Sequence, residues 1–422
     1  MTDLLWSLPF GLILLSIAAF PLLAHNWWSR HYPWVVLPLG MLVIGRYLFW
    51  TGETERILAA GHEYFAFIAL IGSLYIVAGG IHISLLGALT PNQNTAVLAV
   101  GAVLANLIGT TGASMVLIRP FLRGNRWRLA PFHTVFFIFI VSNCGGALTP
   151  IGDPPLFLGY LIGVPFFWVV QHLWYKWSIA IGLLLLIFYV MDNTHFKRQP
   201  KTRQTVSEEP DRILIKGKGN FILLAVILLA VIGAAFLPEK LLWIREAVIV
   251  AAGVISYVAT PQAIHERNSF DFHPIREVAI LFAAIFAAMI PALDLLSHHA
   301  SSLGLNSTGS FYWATGLTSA FLDNAPAYLN YVAAAMGLDG ASIHDKAQVV
   351  AWATSHADIL SSISISSVFF GAATYIGNGP NFMVKSICDQ YNVQTPSFLE
   401  YIYKYSLPIL LPVLVIVYFF VK

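Results

Sequence analysis

Two stretches of this chain repeat one another 225 residues apart. Gly146-Ala147-Leu148-Thr149-Pro150-Ile151-Gly152-Asp153-Pro154-Pro155-Leu156-Phe157 aligns without a gap on Gly371-Ala372-Ala373-Thr374-Tyr375-Ile376-Gly377-Asn378-Gly379-Pro380-Asn381-Phe382. Each is a polar, Gly/Pro-rich interruption inside a long apolar run. Proline lacks an amide hydrogen and disfavours helix at the residue before it, so neither run can continue as one regular helix. In a membrane chain, matched broken helices point to a binding site at a repeat interface.

Composition puts the chain in lipid. Of its 422 residues 58% are hydrophobic and 10% charged, with mean hydropathy +0.73; soluble domains carry about 25% charged residues. Apolar runs of spanning length recur from end to end, without the alternation of a membrane barrel, and so require helices. A net charge of +2 gives no reason to expect a nucleic-acid partner. Cys144 and Cys388 lie in different apolar segments without metal-type spacing and read as buried thiols. The first apolar run lacks the basic start of a signal peptide and reads as a membrane helix.

The runs predict helices near 5–23, 35–50 and 63–87, a Gly-containing segment at 94–118, a broken helix at 131–170 and a helix at 177–192. After a polar linker come helices near 220–237, 242–259 and 277–297, an interrupted segment at 309–336, a broken helix at 347–388 and a last helix at 403–421. The expected fold is an all-α polytopic membrane protein of two inverted repeats, 1–194 and 220–422, joined by a linker at 195–219. Each repeat has about five spanning helices, one of them broken, plus one re-entrant hairpin. The linker carries Lys197, Arg198, Lys201, Arg203, Arg212, Lys216 and Lys218, which places it in the cytoplasm. Two crossings from the linker on either side, Arg119, Arg123, Arg126, Arg128, Arg267 and Arg276 fall on the same side; 94–118 and 309–336 are expected to turn back at their polar middles. Both termini then lie outside, and a bacterial cytoplasmic membrane is the expected location. The tips read Asn106-Leu107-Ile108-Gly109-Thr110-Thr111-Gly112 and Asp323-Asn324-Ala325-Pro326; aligning Asn106 with Asn324 gives an offset close to that of the breaks.

Asp153 is the sharpest candidate for chemistry. An intramembrane carboxylate is costly and a functional hypothesis by default, and the unwound segment around it offers carbonyl oxygens to an ion. It could also cap the helix that follows. Asp323, beside Asn324, is the second acid, with a turn-forming Asx pair as its structural alternative. Each half thus supplies one carboxylate, from a different element. Neutral oxygen donors surround them: Thr149, Thr374, Asn143, Asn381, Asn378, Asn106, Thr110, Thr111 and Ser319, with Gly152 and Gly377 at the breaks. The set suits Na⁺ or a proton, with Na⁺ expected at Asp153 and Asp323, or an organic anion whose charge co-bound cations neutralise. His356, Asp358 and a run of serines from Ser361 to Ser367 either line an access path or pack helices.

Thr149-Pro150-Ile151-Gly152-Asp153, Leu322-Asp323-Asn324-Ala325-Pro326 and Tyr375-Ile376-Gly377-Asn378-Gly379-Pro380-Asn381-Phe382 resemble the ion transporter superfamily, which includes NhaD-type sodium/proton antiporters, arsenite pumps and citrate or dicarboxylate carriers. The acids of the antiporter pattern map onto Asp153 and Asp323, whereas Pro154-Pro155 is closer to the arsenite and citrate branch. The resemblance implies a homodimer and an elevator-like movement. The expected function is sodium/proton antiport, with Na⁺ and/or H⁺ as coupling ions and no other cofactor. The alternative is cation-coupled uptake of citrate or another small carboxylate, and arsenite efflux ranks below it. An intramembrane aspartyl protease would leave the repeat unexplained, so no enzyme is expected.

Overall fold

The computed structural model describes residues 2–86, 89–199, 212–234, 237, 241, 243–299, 304–391 and 393–421. The chain runs α1 (Thr2–Leu23), α2 (His25–Arg46, continued by a π-helical turn Tyr47–Thr51), α3 (Thr54–Gly79), β1 (His82–Leu86), α4 (Pro91–Gly124), α5 (Pro131–Ile140), α6 (Pro154–Ile162) and α7 (Phe166–Lys197). Then come β2 (Arg212–Lys216), α8 (Gly219–Gly233), α9 (Trp243–Ala259), α10 (Gln262–Arg267) and α11 (His273–His299). They are followed by α12 (Thr308–Phe321), α13 (Asn324–Leu338), α14 (Lys346–Ser355), α15 (Ala357–Phe370), α16 (Gly379–Gln390) and a final helix α17 (Phe398–Tyr418). The chain is an all-α polytopic membrane protein: among the described residues, six helices are long and apolar enough to span a bilayer. Large side chains such as Phe49 (90% exposed) and Val258 (78%) face outward, a surface that only lipid or a partner would cover.

Both hairpins exist, and side-chain contacts prove the reversal. Residues 101 and 117 would stand about 24 Å apart on a straight helix. Instead a Cβ at Gly101 would lie 3.1 Å from Leu117 Cδ1. The chain turns at Gly109, whose φ of 76° favours glycine. In the second hairpin, Thr318 Oγ1 and Tyr331 Oη are 2.9 Å apart across the tip between α12 and α13, beyond reach along one straight helix. The length of α4 alone therefore misstates its role: it folds back on itself.

Helices α1, α2, α3, α8, α9 and α11 pack on one another as one bundle. The hairpins, the broken helices, α7 and α17 form a second. Contacts of α3 with α4 and α6, and of α11 with α13, join the two.

Several local expectations change. The helix predicted over 63–87 stops at Gly79, and residues 82–86 form an antiparallel ribbon with β2, from His82 opposite Lys216 to Leu86 opposite Arg212. The Gly79-Gly80 pair ends the helix. The amide of Asn268 then bonds the carbonyls of Gly79 (2.7 Å) and Ile81 (2.8 Å), holding the exit. The end of the linker is thus a strand, although residues 200–211, with Lys201 and Arg203, lie outside the described residues. The second helix starts at His25, ten residues before the apolar run at 35.

A buried polar clamp closes the base of the first hairpin. Asn94 and Asn125 exchange amide hydrogen bonds (2.8 and 2.7 Å), and Asn94 also donates to Asp192 Oδ2 (2.8 Å). Arg128 pairs with both oxygens of Asp192, and His133 Nε2 lies 3.0 Å from its Oδ1. The ion pair is fully buried. Replacing Asp192 with Ala strands the Arg128 charge, so we expect a loss of about 3–5 kcal/mol, read as a lower unfolding temperature of detergent-purified protein.

Candidate functional site

The two breaks are built alike. In the first, α5 ends at Ile140, Cys144–Gly146 form a 3₁₀ turn, and α6 starts after Asp153. Thr149 Oγ1 donates to Asn106 O (2.6 Å) and accepts from Gly152 N (3.1 Å). In the second, Thr374 Oγ1 donates to Ala320 O (2.6 Å) and accepts from Gly377 N (3.1 Å). Each threonine closes its own turn and ties it to the hairpin of its half. These bonds make Asn106 the counterpart of Ala320, and the same offset sets Thr110 opposite Asn324, so the tips align in a different register from Asn106 with Asn324. The position matching Asp323 is then Gly109. Residue type misled the alignment: Asn106 works from inside the first arm, donating to Ala102 O (3.0 Å) and Gly145 O (2.7 Å) and accepting from Leu148 N (2.8 Å).

Asp153 stands where all four elements meet. Its backbone is extended (φ −146°, ψ 146°) and its side chain does not cap α6. The carboxylate turns instead to the tips: Oδ1 accepts from Thr110 Oγ1 (2.7 Å) and Asn378 Nδ2 (3.1 Å), and Oδ2 from Asn324 Nδ2 (2.5 Å). Thus one hairpin tip from each half and the opposite break all bind one carboxylate. It is 1% exposed, as buried as Thr110, Asn324 and Asn378.

Further amides brace this centre. Asn378 Nδ2 also reaches Asn143 Oδ1 (3.1 Å), and Asn143 Nδ2 donates to Asn381 Oδ1 (2.6 Å). Asn381 in turn donates to the carbonyls of Gly371 and Thr374 (both 2.8 Å). Asn143 and Asn381 therefore link the breaks across the pseudo-symmetry. Ser319 Oγ donates to Ser367 O (2.5 Å), holding the second hairpin against α15. Thr111 lines a cleft of about 30 Å³ beside Asp153 with Gly109, Gly112, Gly152, Leu74 and Tyr75, room for a water or a small ion but not for a larger solute.

Asp323 is placed differently. It is the N-cap of α13, its Oδ1 accepting from Ala325 N (3.1 Å), and it is only partly buried. It adjoins Asn324 in the chain but does not touch Asp153 by hydrogen bond. His356 sits at the kink between α14 and α15, its Nε2 3.4 Å from Asp339 Oδ2. Asp358 accepts from Thr308 Oγ1 (3.1 Å) on the exposed surface. Neither lines the cleft. The serines pack: Ser362 bonds Thr308 O, and Ser366 bonds Ser362 O within α15.

Every hydrogen bond to Asp153 comes from a neutral group, and Asn324 Oδ1 is buried without a partner. A fully buried carboxylate with no counter-charge costs several kcal/mol, so the site is suited to take a cation or a proton. Sequence reasoning missed the Asp192 clamp and the ribbon. Asp192, an acid at the end of an apolar run, was the available signal for the first.

Two folded-back hairpins, two unwound helices and a buried carboxylate without a counter-ion define a secondary transporter of the membrane-embedded kind. The chain belongs to the family described as "Putative citrate transport", whose model matches residues 1–421. Among curated proteins none matches the chain.

Proposed function

We propose that Asp153 is the coupling site of a sodium/proton antiporter: the carboxylate holds Na⁺ from one side of the membrane, releases it on the other and returns protonated. The observation that carries this reading is its isolation from any fixed positive charge, with donors converging from both halves. Na⁺ would find Asp153, the free Oδ1 of Asn324 and backbone carbonyls of the breaks, a set of hard oxygens. Asp323 would add negative potential at the tip. Alternating access by the hairpin bundle against the other bundle, an assembly as a homodimer and termini on the outer side belong to the same proposal.

The family match favours a second reading, cation-coupled uptake of citrate or a related carboxylate, in which the same Asp153 site loads the driving ion. Solid-supported membrane currents on reconstituted protein, with steps of Na⁺, Li⁺, K⁺, citrate and succinate at two pH values, separate them. Antiport predicts Na⁺-triggered current and proton movement without any anion. Current only when citrate accompanies the cation selects the second. Silence to every cation and pH step removes both.

A further inference from the structure

A second cavity, of about 280 Å³, lies between the two bundles on the face opposite the ribbon. Glu55, Arg56 and Glu63 of α3 and Leu293 of α11 form one wall; Ile162, at the end of α6, and His344 belong to the other bundle. Arg56 is already engaged, its guanidinium 2.7 Å from Asp294. Glu63 faces the cavity, with His344 and the ammonium of Lys346 among the groups whose fields act on it. Lys346 is exposed, and a Cβ at Gly163 would touch its backbone at 3.3 Å, so it sits at the rim.

Glu63, Phe67, Leu70, Ile71 and Leu74 occupy one stripe of α3 at helical spacing. The last three line the cleft beside Asp153. One helix face therefore runs from the larger cavity to the carboxylate, over about 10–16 Å. Phe67 interrupts it: fully buried, it stacks on Phe282 (4.6 Å between centroids) and meets Phe157 (6.5 Å), which lines the cleft. A hydrated cation does not cross packed aromatic carbon without shedding its water, which is costly.

We propose that this cavity is a loading vestibule for a monovalent cation, that Glu63 is the carboxylate receiving it, and that Phe67, Phe157 and Phe282 form the barrier separating it from Asp153. The role of the cation rests on the proposed function; the barrier does not. In the state described, the vestibule is separate from the site, and transfer requires the hairpin bundle to move against α3.

The test uses the full chain in oriented proteoliposomes, with Na⁺ as probe. Both native cysteines are buried, so a membrane-impermeant thiol reagent reports introduced ones. Glu63→Cys should be modified from the face opposite the ribbon, and Thr111→Cys should not be unless Phe67→Ala is added. Failure to label Glu63→Cys, or labelling of Thr111→Cys with Phe67 intact, overturns the vestibule and its barrier. Glu63→Gln should raise the apparent KM for Na⁺ about 3- to 10-fold, by loss of one nearby charge, with the maximal rate kept. An unchanged KM overturns the receiving role. Labelling as expected in a protein that moves no Na⁺ would sink the function reading and leave the pathway standing.

Discussion

Asp153→Asn is expected to abolish cation-coupled transport. The amide keeps the size of the carboxylate, its oxygen can still accept from Thr110, and its nitrogen can donate to Asn324 once that side-chain amide turns to present Oδ1, but it carries no charge and cannot trade a proton for Na⁺. Loss of even about 3 kcal/mol of cation affinity corresponds to about a hundredfold, so Na⁺-driven collapse of a pH gradient in proteoliposomes should vanish at ordinary salt. The variant should fold, because a buried charge without a counter-ion is replaced by a neutral isostere; its unfolding temperature should match or exceed the parent's. Normal exchange by this variant would rule out the coupling role. Asp323→Asn makes the contrast. Asparagine caps a helix about as well as aspartate, so the start of α13 is kept while the charge is lost, and transport should slow without ending.

The second large effect is structural. Gly152→Ala should prevent the first break from closing, because its Cβ would lie 2.0 Å from Gly146 O and 2.8 Å from Gly146 C. Both obstacles are backbone, so no rotamer change relieves them. The repeat position behaves alike: a Cβ at Gly377 would lie 2.6 Å from Gly371 O and 3.0 Å from Ser319 O. We expect a cost above about 3 kcal/mol for Gly152→Ala, seen as loss of the monodisperse peak in fluorescence-detected gel filtration. Gly182→Ala, with nothing within 4 Å of its Cβ, is the control that should leave the peak unchanged. A monodisperse, transporting Gly152→Ala protein would show that the two turns need not approach so closely.

Much of this was legible from residue types alone. Prolines and glycines set where two helices must break, and an acid among apolar residues marked Asp153 as unusual, since both follow from backbone donors and desolvation rather than from distant contacts. Which neighbours reached that acid was not legible. By residue type, Thr110, Asn324 and Asn378 are indistinguishable from Thr149, Asn143, Asn381, Thr374 and Ser319 as oxygen donors. In the fold the first three bind the carboxylate, whereas the others hold the turns and hairpins around it. The register of the tips was misread for a related reason: two asparagines look equivalent as letters, yet Asn106 braces a loop and Asn324 serves the site.

The ribbon of His82–Leu86 with Arg212–Lys216 and the Asp192 clamp likewise depend on residues far apart in the chain. Local sequence carries the cost of breaking a helix or burying a charge, because those costs arise at single residues. It does not carry who offsets them, because partners are chosen by packing. Lipid environment, helical architecture and the two interruptions were thus determined by the sequence by itself. Packing in three dimensions decided which groups reach Asp153, that Asp323 caps a helix instead of meeting it, and that Phe67 stands between the Glu63 cavity and the buried carboxylate.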